Sequence, residues 1–255
     1  MLGARFRRVI LNRPNLRIPF PDLFAERLRG QTVRAVDRRG KYLVVQVSSG
    51  EALIMHLGMS GWFTVTPIGD RSRDPDPHDH VVFMMSSGQR IVFNDPRRFG
   101  FMDLTRHEAL DDYPSLKKMG PEPLSKAFDA AALARACVGR KVPLKVALLD
   151  QRTVAGVGNI YASEALHHAA LSPLRTAGTI ATRSGEPKPE AVRLAKSIKS
   201  VLSSAIRRRE SPYRSARFRV YERDGLRCLR AGCGGIIVRI WQAGRSTFYC
   251  PACQR

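Results

Sequence analysis

Four of the five cysteines fall in the last 28 residues, with the spacing Cys228-x4-Cys233-x16-Cys250-x2-Cys253. Two cysteine pairs separated by a hairpin-sized insert can set four thiolates tetrahedrally around zinc. Gly234-Gly235 after the first pair and Pro251 inside the second supply the sharp turns such a site needs. Ile236–Ile240 and Ser246–Tyr249 read as the two strands, turning near Ala243-Gly244. Two disulfides or four free thiols are the competing readings, and the spacing together with the lack of a secretory signal favours metal. Four protein ligands leave no open position, so the ion is structural. Arg245 stands at the hairpin tip, where a guanidinium can grip a phosphate bidentately or simply be solvated in a turn; spacing leaves both open.

Three further clusters could do chemistry. In Gly156-Val157-Gly158-Asn159-Ile160-Tyr161 the glycines allow close approach to a phosphate at a helix N-terminus, or merely form a helix–helix turn with Asn159 as N-cap. Met59 in His56-Leu57-Gly58-Met59-Ser60-Gly61, and Arg97, Arg98 and Phe99 in Asn94–Gly100, sit in tight loops at strand ends. They read either as exposed contact residues or as core Met and Phe beside two surface arginines. His78-Asp79-His80 puts two histidines on one strand face, for which a phosphate contact or a plain edge strand is favoured over a metal pair. Cys137, isolated in Leu133–Val138, reads as a small buried hydrophobe.

These residues need rigid elements beneath them. Tyr42–Val47 and Ala52–Leu57 flank Ser48-Ser49-Gly50-Glu51, and Val81–Met85 and Arg90–Phe93 flank Ser86-Ser87-Gly88-Gln89. Both are hairpin signals. With Val9–Leu11 and Val33–Val36 they predict six or more short strands and an antiparallel β-sandwich. Pro67 to Pro77 reads as a polar surface loop, and Lys117–Pro123 as a domain boundary. Beyond it the apolar period lengthens towards four: Leu144, Ala147 and Leu148, then Ile160 to Ala169, then Val192 to Ala205 predict three helices.

At 255 residues and 44% hydrophobic content, two packed domains are expected and wholesale disorder is excluded. No run of about 18–20 apolar residues is present, and Met1–Arg5 lacks a signal-peptide core, so a non-membrane, intracellular protein is expected. The formal net charge is +21, of which residues 126–255 carry +16. Such an excess predicts a polyanionic partner.

Taken together, the blocks Arg39–Leu43, His56–Gly61, His78–Val81, Asp95–Gly100, Gly120–Leu124, Val157–Glu164 and the cysteine tail resemble the formamidopyrimidine-DNA glycosylases, over essentially the whole chain. The resemblance implies an α+β chain in two domains: a β-sandwich at 1–116, and a helix-two-turn-helix domain at 117–215 that carries the zinc ribbon at 216–255. It implies a base-excision repair enzyme that removes oxidised purines and then cleaves the abasic site by β- and δ-elimination. It further implies one structural zinc ion, a monomer, no membrane, and bacterial cytoplasm with the nucleoid as the setting. The partner is double-stranded DNA with oxidised bases or abasic sites.

By the same resemblance Met59, Arg97 and Phe99 enter the duplex when the damaged nucleotide is flipped out, which replaces the core reading of these residues. Lys41, His78, Arg140, Asn159, Tyr221 and Arg245 contact phosphates or strand around the lesion, and Lys41 and Arg245 are associated with the elimination steps.

The family's nucleophile is the amine of an N-terminal proline in a Pro-Glu-Leu-Pro-Glu segment, with the Glu as acid-base group. An α-amine with a pKa of about 7.7–8.0 is partly unprotonated at neutral pH, which suits attack on the sugar C1′. Met1–Phe6 instead resembles the stretch after the family's first helix. A start assigned too late is the expected explanation, with a non-catalytic damage-binding protein as the alternative. Between Arg209 and Tyr213 only three residues stand where the family carries a longer loop over the flipped base, so the preferred lesion is open. The x4 spacing of the first cysteine pair is wider than the common x2 and remains compatible with zinc.

Overall fold

The computed structural model describes residues 1–70, 74–207 and 218–255. Two compact units meet in sequence between Lys117 and Lys118.

Among the described residues the first unit holds eight strands in two antiparallel sheets. One sheet runs in the order β1 (Phe6–Leu11), β6 (Asp79–Met85), β7 (Gln89–Asn94), β5 (Trp62–Pro67). The other runs β2 (Val33–Arg39), β3 (Tyr42–Val47), β4 (Glu51–His56), β8 (Phe101–Arg106). Alternate residues of both sheets, among them Phe6, Phe83 and Phe93 from one and Val45, Leu53 and Met102 from the other, close a single apolar core. This is the expected sandwich. Both predicted hairpins form, with Val45 opposite Leu53 and Phe83 opposite Ile91.

In this unit two strands and a helix escaped the sequence reading. β8 alternates Met102 and Leu104 inward with Asp103 and Thr105 between them, a period-two signal hidden behind the Asp95–Gly100 loop. β5 is half exposed and its pattern correspondingly faint. Helix α1 (Phe24–Leu28) is five residues long, too short to show a period. The edge-strand reading of His78–His80 is corrected: β6 is an inner strand between β1 and β7, and the register shifts between Asp79 and Val81. That irregularity buries both Asp79 and His80.

The second unit contains α2 (Ala130–Cys137), α3 (Leu144–Leu149), α4 (Asn159–His168) and the 19-residue α5 (Pro189–Arg207). The last three are the predicted helices. α2 was not predicted; the Asp129 carboxylate caps it by accepting the Ala132 N–H at 2.7 Å. Leu133, Leu148, Leu166, Leu194 and Ile198 meet in one core, and Cys137 is buried there as expected. Burial pushes the Cys137 thiol up to about 11, which keeps it protonated and inert.

The tail pairs β9 (Val238–Gln242) with β10 (Arg245–Tyr249). β9 begins two residues later than expected. Ala243 and Gly244 both have positive φ (47° and 72°), the two-residue turn that matches strand twist. No helix among the described residues is long and apolar enough to cross a membrane.

Candidate nucleic-acid interface and metal centre

In the first unit the Met59 loop and the Arg97–Phe99 loop are fastened together by one buried carboxylate. Asp95 accepts from Ser60 Oγ at 2.5 Å through Oδ1 and from the Gly100 N–H at 2.7 Å through Oδ2. Its carbonyl accepts from the Arg98 N–H at 3.1 Å and lies 2.9 Å from His80 Nε2. Ser60 Oγ in turn accepts from the Arg97 N–H. Gly58 has φ +67°, and a Cβ there would lie 2.4 Å from the Phe99 carbonyl carbon. The two loops touch backbone to backbone.

Out of this clamp project Met59, 74% exposed, and Phe99, 40% exposed. The Arg97 guanidinium lies 4.6 Å above the Phe99 ring. The core reading of these residues fails because the clamp spends its polar groups inward and turns the large apolar groups out.

His78 precedes β6. Its carbonyl accepts from the Asp95 N–H at 3.0 Å, and its ring stands 6.3 Å from that of His80. Lys41 is exposed in the turn between β2 and β3. Near it, His56 Nδ1 accepts from the Gly58 N–H at 3.0 Å, and its ring stacks on Phe101. Burial, then the charges of Lys41 and Arg17, push the His56 imidazole down. The structure therefore gathers Met59, His78, Arg97 and Phe99 around Asp95, while Lys41 stands in the β2–β3 turn, apart from that cluster.

In the second unit the α3–α4 connection is organised by Gln151. Its amide donates to the Leu149 and Val157 carbonyls and its Oε1 accepts from the Gly156 N–H at 2.8 Å. Gly156 has φ +74°, which a side chain would strain. The N-cap reading of Asn159 is corrected. Gly158 is the extended cap residue and Asn159 is already helical, so its side chain is free to donate to the Ser246 carbonyl in the hairpin at 3.0 Å.

That same carbonyl receives Lys145 Nζ at 2.9 Å, and Thr247 Oγ1 receives it at 2.6 Å. Lys145 is fully buried. Burial, then the nearby charge of Arg245, push it down to about 8. Arg245 is exposed at the tip, beside these partners.

The Glu164 carboxylate anchors the approach to the ribbon by accepting the backbone N–H groups of Arg219, Val220 and Tyr221 at 2.9–3.0 Å. Tyr221 packs edge-on against Phe248, and burial followed by the Glu222 charge pushes its phenol up. Arg140 is half-buried and already engaged, donating to Thr153 Oγ1 and Asp150 Oδ2. Hydrogen bonds from Arg152 and Arg140 hold the Asp150 carboxyl well below the usual carboxylate range. The loop between Arg209 and Tyr213 lies outside the described residues.

The four tail sulfurs all lie within 4.8 Å of one another, with Cys228–Cys253 at 3.8 Å and Cys233–Cys250 at 3.7 Å. Four sulfurs about 2.3 Å from a common centre in a tetrahedron stand about 3.8 Å apart, so the donor set fits one zinc ion. A Cβ on Gly235 would lie 2.6 Å from Cys250 Sγ, so glycine is what lets the chain close over the sulfurs. Gln254 locks the end: it accepts from the Cys250 N–H and donates to the Leu171 carbonyl.

Three sequence models match in the order the chain presents them. The formamidopyrimidine-DNA glycosylase N-terminal domain matches residues 1–102, the H2TH domain of that glycosylase matches 119–216, and a zinc finger found in FPG and IleRS matches 225–255. The chain belongs to the formamidopyrimidine-DNA glycosylase family.

A formamidopyrimidine-DNA glycosylase of Rhodopseudomonas palustris is 51% identical, in a match covering all of this chain and 94% of the relative. The Lactococcus lactis glycosylase in complex with abasic-site DNA superposes with a TM-score of 0.86 at 28% identity, covering all of this chain and 94% of that one. The Thermus thermophilus enzyme superposes at 0.82 and 35% identity, covering 92% of that chain. Within this glycosylase fold the sequence reading missed Asp95, Lys145, Gln151 and Glu164 as organisers. Asp95 and Glu164 lie inside blocks that carry the resemblance; Lys145, one position off the Leu144, Ala147 and Leu148 face of α3, reads as an ordinary helix lysine.

Proposed function

We propose that this chain is a base-excision DNA glycosylase and abasic-site lyase for oxidised purines, formamidopyrimidines and 8-oxoguanine among them. It works as a monomer on the nucleoid in bacterial cytoplasm. Residues 1–116 carry the wedge, 117–215 the backbone grip and 216–255 the zinc ribbon. The glycosidic carbon is out of reach in a stacked duplex, so the base must first leave the stack at a cost of a few kcal/mol. Met59 and Phe99 offset that cost by exchanging solvent for the vacated stack, with Arg97 facing the widowed base. The observation that carries this reading is their exposure on two loops locked by the buried Asp95.

His78, Asn159, Tyr221 and Arg245 take backbone contacts, and Lys41 and Arg245 serve the elimination steps. Arg140, held in place by Thr153 and Asp150, is assigned a further strand contact. The amine that attacks C1′ belongs to the family's Pro-Glu segment, and no residue here is assigned that step.

The test places 2-aminopurine opposite the lesion. In protein that carries the family's Pro-Glu segment and first helix N-terminal to this sequence, Met59→Ala should lower the fluorescence change on binding and cut base release at least tenfold, while binding to undamaged duplex is kept. Unchanged release would remove Met59 from the wedge.

A further inference from the structure

The last turn of α4 brings His167 to the metal centre. Its imidazole is fully buried, and Nε2 lies 3.2 Å from Cys228 Sγ. The Arg230 backbone N–H approaches the same sulfur at 3.5 Å, and the Arg230 guanidinium donates to the His167 carbonyl. The other ring nitrogen, Nδ1, is buried with no hydrogen-bond partner among the described residues.

A metal-bound thiolate has lone pairs and no hydrogen, so it only accepts. If the imidazole carried its hydrogen on Nδ1, two acceptors would face each other at 3.2 Å and a buried donor would be left unmade. A hydrogen on Nε2 turns that contact into a bond and leaves only a lone pair unused.

We propose that His167 is a positioning residue of the zinc site, donating from Nε2–H to the Cys228 thiolate outside the ligand sphere. Two consequences belong to it. Four thiolates put more negative charge on the centre than one zinc ion cancels, and a donor aimed at one sulfur withdraws part of that charge and fixes its direction. It also ties the metal to α4, the helix whose first residue is Asn159, so the end of the helix that meets the ribbon tip is braced from its far end by zinc. No sequence signal pointed to this, since His167 stands nine residues beyond the last glycine of the loop and 61 before Cys228.

This inference rests on the zinc reading, and the test separates the two. The full chain is loaded with zinc and with cobalt(II), in wild type, His167→Phe and His167→Gln, the last keeping an N–H donor at a similar reach. Wild type taking up no metal would overturn the zinc reading itself. With metal bound, His167→Phe should transfer zinc to a chromophoric chelator about 10-fold faster, and the sulfur-to-cobalt charge-transfer band should move to lower energy as the sulfur becomes the better donor. His167→Gln should return both towards wild type. Zinc transfer and cobalt spectrum unchanged in His167→Phe would overturn the proposal. If that variant fails to fold, nitrogen-15 shifts of the zinc-loaded wild type decide: a hydrogen on Nε2 is expected, and one on Nδ1 contradicts the assignment.

Discussion

Asp150 shows how a carboxylate between two arginines ties stability to pH. Arg152 first, then Arg140, hydrogen-bond its carboxylate, so its pKa in the folded chain lies below that of the unfolded chain. The stability this supplies is whole above the unfolded value, about 3.9, and is lost as pH falls through the folded one. Asp150→Asn should therefore flatten the fall of melting temperature below about pH 4. Melting curves of wild type and variant that fall in parallel there would contradict the pairing. Arg245, exposed at the hairpin tip, should act differently. Arg245→Ala should weaken binding to every duplex and lower the salt slope of log Kd by about one, and an unchanged slope would take Arg245 off the phosphates. At this scale the sequence was half legible. Cysteine spacing declares its chemistry, whereas Lys145 looks like any helix-surface lysine until the fold buries it against Ser246 and Thr247.

Elements were legible in proportion to their length and burial. β3, β4, β6 and β7 advertise themselves as β-rich runs around Ser-Gly turns, and α5 repeats its apolar face over 19 residues. What stayed hidden is what depends on partners distant in sequence: β5 on the rim of its sheet, the displaced start of β9, and above all the Asp95 clamp joining residues 35 apart. That clamp depends on glycine at position 58. Gly58→Ala places a Cβ against the Phe99 backbone at a positive φ, and both faults should cost stability, together about 2 kcal/mol or more. Thermal unfolding of the variant, followed alongside lesion binding, checks this; a variant that melts and binds as wild type does would show the loops are free to separate.

For the whole molecule, the proposed function divides the work between the units. The sandwich presents Met59 and Phe99, exposed on a polar clamp, as the proposed wedge, and the helical unit holds its proposed backbone contacts to the zinc ribbon through Asn159, Lys145, Glu164 and Gln254. Net charge was legible as a polyanion signal and no further; motif order turned it into damaged DNA, and three consecutive domain matches place the chain in its family. The most direct measurement is borohydride trapping on a duplex with one abasic site, using zinc-loaded protein that carries the family's Pro-Glu-Leu-Pro-Glu segment and first helix N-terminal to this sequence. A covalent protein–DNA adduct accompanied by strand incision is the predicted result. Tight, zinc-dependent binding with neither adduct nor incision would contradict the account and leave a protein that recognises damage without cutting.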